Sequence, residues 1–329
     1  MALDLETLTS FTVASEEQAW SKIIDHAMSI CSTPLDAEKA PGEVTRRDRR
    51  VGELDHFLSS SAWELWQSFP HAAPRNADKI MQWWSAPYSA KALLILDGLS
   101  LREIPWLAEG AKARGFTVQT TAAYGAEIPS ETNAFAKALG FGSRSQLQNN
   151  GGGRAHKLAP ARTECIDLPW KDCTGLIDAS PDWIFWHQWP DSKLHDGSGA
   201  GQGLDLLTRD IAAQLTGDDF WEFVDRLATG RRLVITSDHG YAATGMFTDA
   251  VDGAAAFLKG VLKSGRLVPG NHDAGHFSPP VALQMESEHG KYLLAVGRWK
   301  WKSQGGYPTL AHGGLSLLEM LCPFVELTK

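Results

Sequence analysis

Val234-Ile235-Thr236-Ser237-Asp238-His239-Gly240-Tyr241 reads as a short strand that stops on an Asp-His pair. With Leu233 in front, the apolar run suits a strand covered on both faces. Gly240 predicts a sharp turn after it. Such a strand presents a carboxylate and an imidazole together at the carboxyl edge of a sheet, where open α/β sheets bind ligands. Asp238 and His239 in that place point to a metal. The same tripeptide also occurs as an ordinary turn, so its meaning depends on what the rest of the chain supplies.

On both sides of this stretch, from residue 91 onward, strands and helices alternate, which predicts a largely parallel sheet covered by helices. Residues 92–96 form a buried strand ending on Asp97-Gly98, and 101–114 a helix. A second strand covers 116–121, and the turn at 128–133 feeds a helix over 134–139. Trp183-Ile184-Phe185-Trp186-His187 is a strand leading into Pro190-Asp191-Ser192-Lys193-Leu194-His195. Residues 204–228 are helical, 251–268 helical or lid-like, and 292–296 a late strand. Residues 313–326 close the chain, mostly as helix. The stretch 140–160 holds Gly151-Gly152-Gly153 but follows no strand and lacks the Lys-Ser/Thr ending of a P-loop.

Ahead of the sheet, apolar spacing predicts helices near 13–32, 43–69 and 76–84, with Ser15 and Gln18 spaced as a capping box. The expected organisation is a helical appendage at 1–88 and an α/β domain at 89–329. The run Arg46-Arg47-Asp48-Arg49-Arg50 is the most basic stretch; a solvated helix face is expected, with a phosphate or partner contact as the other use.

A net charge of −8 over 329 residues argues against strong binding of duplex nucleic acid. Apolar residues at 43% and charged residues at 21% are ordinary for a soluble globular chain. No apolar run approaches the roughly 20 residues of a membrane span, and the N-terminus has no signal-peptide pattern. Four cysteines without CxxC spacing predict reduced thiols in a cytoplasmic protein. Of the thirteen tryptophans, those near 63–66, 83–84 and 299–301 are expected in the core.

Five separated pieces each place a metal ligand or nucleophile after a strand or at a helix start: Asp97, Thr132, Asp191 with His195, Asp238 with His239, and His312. Their order resembles the alkaline phosphatase superfamily. It is most similar to the PglZ-domain branch in the Asp97 strand end with Leu99 and Arg102, the Ser-Asp-His-Gly turn, and Gly313-Gly314-Leu315-Ser316-Leu317-Leu318-Glu319 before Pro323. Pro129-Ser130-Glu131-Thr132 and the Pro190 to His195 segment also resemble the nucleotide pyrophosphatase/phosphodiesterases. The resemblance implies a three-layer, alkaline-phosphatase-like, mostly parallel sheet flanked by helices. It also implies two divalent ions. Asp191, His195 and His312 would hold one; Asp97, Asp238 and His239, with the Thr132 hydroxyl, would hold the other. Mixed imidazole and carboxylate ligands suit Zn²⁺, with Mn²⁺ next.

Thr132 would then be the nucleophile, passing through a phosphothreonine, and Ser130 is its rival. If the register at Asp191 and His195 differs, His187, Asp182 and Asp196 are substitutes. His272, His276 and His289 are expected as surface or hydrogen-bonded histidines, and Asn149 and Asn150 are weak amide donors to a phosphate. The expected activity is a phosphodiesterase acting on a nucleotide, a short oligonucleotide or another phosphorylated small molecule. Diester preference draws on the absence of an evident arginine beside Thr132, although Arg102, Arg144 or Arg154 could fold in. A phosphomonoesterase or phosphomutase is the first alternative. The second is a non-catalytic scaffold with protein partners in a phage-defence system, the setting of many PglZ proteins.

Overall fold

The computed structural model describes residues 3–36, 39–88, 90–197, 203–303 and 308–329. Five helices come first: α1 (Leu5–Thr12), α2 (Glu16–Cys31), α3 (Ala40–Ser60), α4 (Glu64–Ala72) and α5 (Asn76–Ser85). The Ser15–Gln18 capping box opens α2 as its spacing predicts, and Pro41 sits in the first turn of α3, where its missing N–H costs nothing. One face of α2 buries Trp20, Ile23, Ile24, Ala27 and Ile30.

The central sheet draws on β1 (Lys91–Leu96), β2 (Thr117–Gly125), β3 (Arg162–Cys165), β4 (Trp183–His187), β5 (Arg232–Thr236) and the last strand, Leu321–Thr328. Between them run α6 (Ile104–Ala113), α7 (Thr132–Ala138), α8 (Trp170–Thr174), α9 (Asp191–Gly197), α10 (Leu204–Thr216) and α11 (Asp218–Ala228). After β5 come β6 (Thr248–Asp249), α12 (Asp252–Leu262), β7 (Leu267–Pro269), β8 (Ala282–Ser287), β9 (Gly290–Ala295), β10 (Trp299–Lys300) and the short α13 (Leu317–Met320), so the last strand is β11.

The sheet order is β2-β11-β5-β1-β4-β3. β1 pairs in parallel with both β4 and β5, and β11 runs antiparallel to β5 and β2. Helices cover both faces, making three layers of α/β with a mixed, mostly parallel sheet and a helical run ahead of it. β1 and β4 are buried along their whole length, as expected for parallel strands covered on both sides. β7, β9 and β8 form a separate antiparallel sheet that packs with α12 around Leu258, Leu262, Leu293 and Trp301.

Two expectations fail here. Residues 313–326 are not mostly helix: only Leu317–Met320 is helical, and Leu321–Thr328 enters the middle of the sheet. A short apolar run cannot be assigned by periodicity alone, and Pro323 argued against a strand. The basic run is not a solvated face throughout. Arg47 turns inward to the carbonyls of Cys31 and Pro34, while the fully buried Asp48 pairs with Arg102 and Arg298.

The helices of 1–88 share a core with the rest of the chain. Trp20, Val51, Leu54, Trp66 and Phe69 lie in one cluster with Leu101, Ile104, Leu317 and Leu321. Each such fully buried side chain is worth about 1.5–3 kcal/mol. The tryptophans near 66, 83–84 and 301 are core residues, as expected. All four cysteines are free and buried. Among the described residues no helix is long and apolar enough to cross a membrane.

Candidate metal centre

β1 and β5 are adjacent and in register, Ile95 opposite Thr236, so the residues following them emerge side by side. Asp97 follows β1, and Asp238-His239 follows β5. Across β1 on its other side, β4 delivers α9, whose first residue is Asp191; the Asp191 N–H donates to the Asp97 carbonyl at 2.9 Å. Gly98 takes φ +73°, and an added Cβ there would press on Leu194 and Asp191. A glycine at this point lets α9 close down on the strand end.

Six of the seven expected site residues come together in two groups. Asp191, His195 and His312 form one, and Asp97, Asp238 and His239 the other, with ligand atoms in each within 4.8 Å of one another. Two ligand atoms each about 2.1 Å from a tetrahedral ion stand about 3.4 Å apart. Here His239 Nε2 lies 3.6 Å from both Asp97 Oδ1 and Asp238 Oδ2. Asp191 Oδ2 is 3.2 Å from His195 Nε2, and Asp191 Oδ1 is 3.8 Å from His312 Nε2. Thr132 Oγ1 lies 3.3 Å from Asp97 Oδ1, to which it donates. The rings of His239 and His312 stack at 4.3 Å between centroids, bringing the groups into contact.

Hydrogen bonding leaves the right atoms bare. Asp238 uses Oδ1 to accept the Gly98 N–H, His239 Nδ1 faces the Gly240 carbonyl, and Asp97 Oδ2 accepts the Trp186 indole N–H. The opposite atoms, Asp238 Oδ2 and His239 Nε2, are buried without a partner, as is Asp191 Oδ1. Buried polar atoms left unpaired are costly, whereas outer contacts that orient an inward-facing donor atom are the usual support of a metal ligand. The residues present therefore fit divalent cations.

Electrostatics point the same way. Burial, followed by the nearby charges of Asp238 and Asp191, holds the Asp97 carboxyl well above the usual range. Burial also pushes Asp191 up, but the His195 hydrogen bond and the surrounding imidazoles bring it below its ordinary value. Burial, with His239 beside it, lowers His312 to about 4, so it is a neutral imidazole at pH 7. Three clustered carboxylates at a buried strand edge call for cationic charge.

The other expectations sort by position. Ser130 is fully buried, whereas Thr132 is half-buried, which favours Thr132 as the accessible hydroxyl. His187 is turned to the Leu168 carbonyl, and Asp182 accepts the Lys91 N–H, so neither substitutes for Asp191. The Asp196 side chain lies outside the described residues. Asn150 accepts the Thr163 N–H along β3, and Arg154 lines a cavity with Arg162 and Asp182. Arg102 is committed to Asp48. Arg144 is the arginine that reaches the centre, with Nε 3.8 Å from Asp97 Oδ2 and Nη2 bound to Asp167 and the Trp186 carbonyl. Trp186 went unnoticed in the sequence; its place in a strand paired in register with β1 was the one available signal.

A scan against protein-family models found no match, and a search of curated proteins found none. Among solved structures, the chain is similar to the mouse ectonucleotide pyrophosphatase/phosphodiesterase 5. That match has a TM-score of 0.47 and 12% identity, covering 72% of this chain and 87% of that one. An inactive variant of the mouse protein, in complex with AMP, gives 0.46 and 12%, covering 73% and 88%. At that distance the likeness carries no activity or ligand over to this chain.

Proposed function

We propose that the chain is a metal-dependent phosphoric ester hydrolase, a phosphodiesterase by preference, with Thr132 as its nucleophile. The observation that carries this is two candidate ligand groups in contact through the His239 and His312 rings, with a half-buried threonine hydroxyl on Asp97 of one of them. Asp97, Asp238 and His239 would hold one cation, and Asp191, His195 and His312 the other, with Zn²⁺ best suited and Mn²⁺ next. Two such cations would supply stabilisation of the attacking and leaving oxygens of an in-line displacement at phosphorus.

The protein supplies placement. Asp97 Oδ1 takes the Thr132 hydroxyl hydrogen bond and so aims its lone pairs outward. A Thr132 Oγ–P bond forms as the ester P–O bond breaks, the hydroxyl proton leaving with the departing alcohol; water then adds its hydroxyl to phosphorus and returns its other proton to Thr132 Oγ as the phosphothreonine bond breaks. Arg144 meets Asp97 at Oδ2 rather than at the Thr132 side and is held there by Asp167, which leaves a diester as the favoured substrate. The same guanidinium supports the second reading, a phosphomonoesterase or phosphomutase, if it swings toward a dianionic phosphate. The nucleotide or short-oligonucleotide substrate, and a PglZ-type role in phage defence, rest on the sequence motifs alone.

The test compares bis-p-nitrophenyl phosphate with p-nitrophenyl phosphate, using metal-stripped protein reloaded with Zn²⁺ or Mn²⁺. Diester turnover should fall on the order of 1000-fold or more in Thr132→Ala and in Asp238→Ala. Monoester turnover alone would promote the phosphatase. Two bound metals with neither ester cleaved would move the assignment to a scaffold, and failure to bind metal would remove the site.

A further inference from the structure

A third cluster lies outside the metal centre, on the turn that carries the nucleophile. Glu127 follows β2, is almost wholly buried, and precedes Thr132 by five residues. Its Oε2 accepts from Arg75 Nη1 at 2.9 Å and lies 3.0 Å from His289 Nε2. Arg75 directly precedes α5, while His289 belongs to the turn between β8 and β9.

The turn is gripped from these two sides and also from His312 and α13. The Gly125 N–H donates to the Pro74 carbonyl, and the Ala126 N–H to the Met320 carbonyl. The Ser287 hydroxyl donates to the Ile128 carbonyl, and His312 Nδ1 faces the Ser130 carbonyl at 3.3 Å. Next to Arg75, the buried Asn76 donates to Thr236 Oγ1 and to the Ser237 carbonyl, immediately ahead of Asp238. Two consecutive residues at the start of α5 thus touch both the nucleophile turn and the ligand turn.

Glu127, Glu288 and His289 also have the spacing of metal ligands. The Arg75 guanidinium, however, already sits on Glu127 Oε2 and Glu288 Oε1, so a cation is in place without an ion.

We propose that Glu127 is a positioning residue: bound to Arg75 on one side and His289 on the other, it fixes the 126–131 turn and with it the Thr132 hydroxyl over Asp97. This rests on Thr132 being the nucleophile. The cluster also ties the β8–β9 hairpin to the centre, so a displacement of that hairpin reaches the Thr132 turn through the His289–Glu127 contact.

The test uses the full chain with both metals loaded, as wild type, Glu127→Gln and Glu127→Ala. Five quantities are measured: kcat and KM on bis-p-nitrophenyl phosphate, metal stoichiometry by calorimetry, Tm, and amide exchange over 125–133 and 232–242. Misplacement of a reacting group by about 1 Å costs on the order of 100-fold. The expected result in Glu127→Ala is therefore a kcat loss of about 10- to 100-fold, KM within about twofold and two metals still bound. Exchange should quicken over 125–133 and not over 232–242, with Glu127→Gln intermediate. An unchanged kcat, or exchange that quickens equally in both segments, overturns the proposal. So does a third ion bound by wild type and lost in Glu127→Gln. If wild type cleaves no ester, the Thr132 mechanism fails separately, and the exchange comparison still decides whether Glu127 holds the turn.

Discussion

Glu103 shows how far burial alone can move a carboxyl in this protein. Its oxygens accept the Tyr241 hydroxyl and the Ser100 N–H. Burial still dominates, against the opposing charge of Arg102, and pushes its pKa up to about 7. In the unfolded chain the group releases its proton near the ordinary 4.5. Between those values the folded protein holds a proton that the unfolded chain has lost, so stability falls as pH rises through the window and is flat outside it. The full span is worth about 3 kcal/mol. Glu103→Gln removes that slope. Thermal unfolding from pH 5 to pH 8 should show the variant gaining on wild type as pH rises, and parallel profiles would contradict the assignment. At the same scale, the candidate ligands stand out in the sequence because Asp97, Asp238 and His239 lie at or just past the ends of apolar strands. Glu127 and Trp186 do not, whereas His289, expected as a surface or hydrogen-bonded histidine, bonds Glu127. A buried Glu–Arg pair and an indole donor look, in sequence, like any other surface charge or core aromatic.

At the scale of the element, β5 and the turn after it depend on α13. The Gly240 N–H donates to the Glu319 carbonyl, and a Cβ on Gly240 would stand 2.2 Å from the Leu318 carbonyl oxygen. Its backbone is not left-handed, so the glycine is required for close approach rather than for the turn conformation expected from sequence. Gly240→Ala must displace either α13 or the Asp238–His239 turn, and overpacking of this kind costs about 1–3 kcal/mol or more. The expected outcome is a lowered Tm together with weakened metal binding, read by calorimetry. Loss of stability with two-metal binding intact would show that α13 yields and the turn does not. β11 is the element that sequence reading lost. Its apolar run fits a helix or a strand equally, and only the vacant position between β5 and β2 selects the strand.

Across the whole molecule, α3 is bolted to the sheet domain through buried charge. Asp48 pairs with Arg102 and Arg298, while Asp55 accepts from Arg298 and from the Leu317 N–H. Removing one partner of a buried pair costs about 3–5 kcal/mol, because the remaining charges lose their compensation. Asp48→Ala should lower one cooperative unfolding transition as a unit. A separate early transition for residues 1–88 would show instead that the helices fold independently. Sequence alone determined the alternation of strands and helices from residue 91, the helical run before it, and which carboxylates and imidazoles stand at the strand ends, because these follow from local periodicity and from the residues that end each strand. Tertiary structure decided that β11 enters the sheet, that Arg47 and Asp48 turn inward, and which atoms of each ligand are left bare. Those outcomes depend on partners up to 250 residues apart in the chain, and contacts at that separation leave no mark on local sequence pattern.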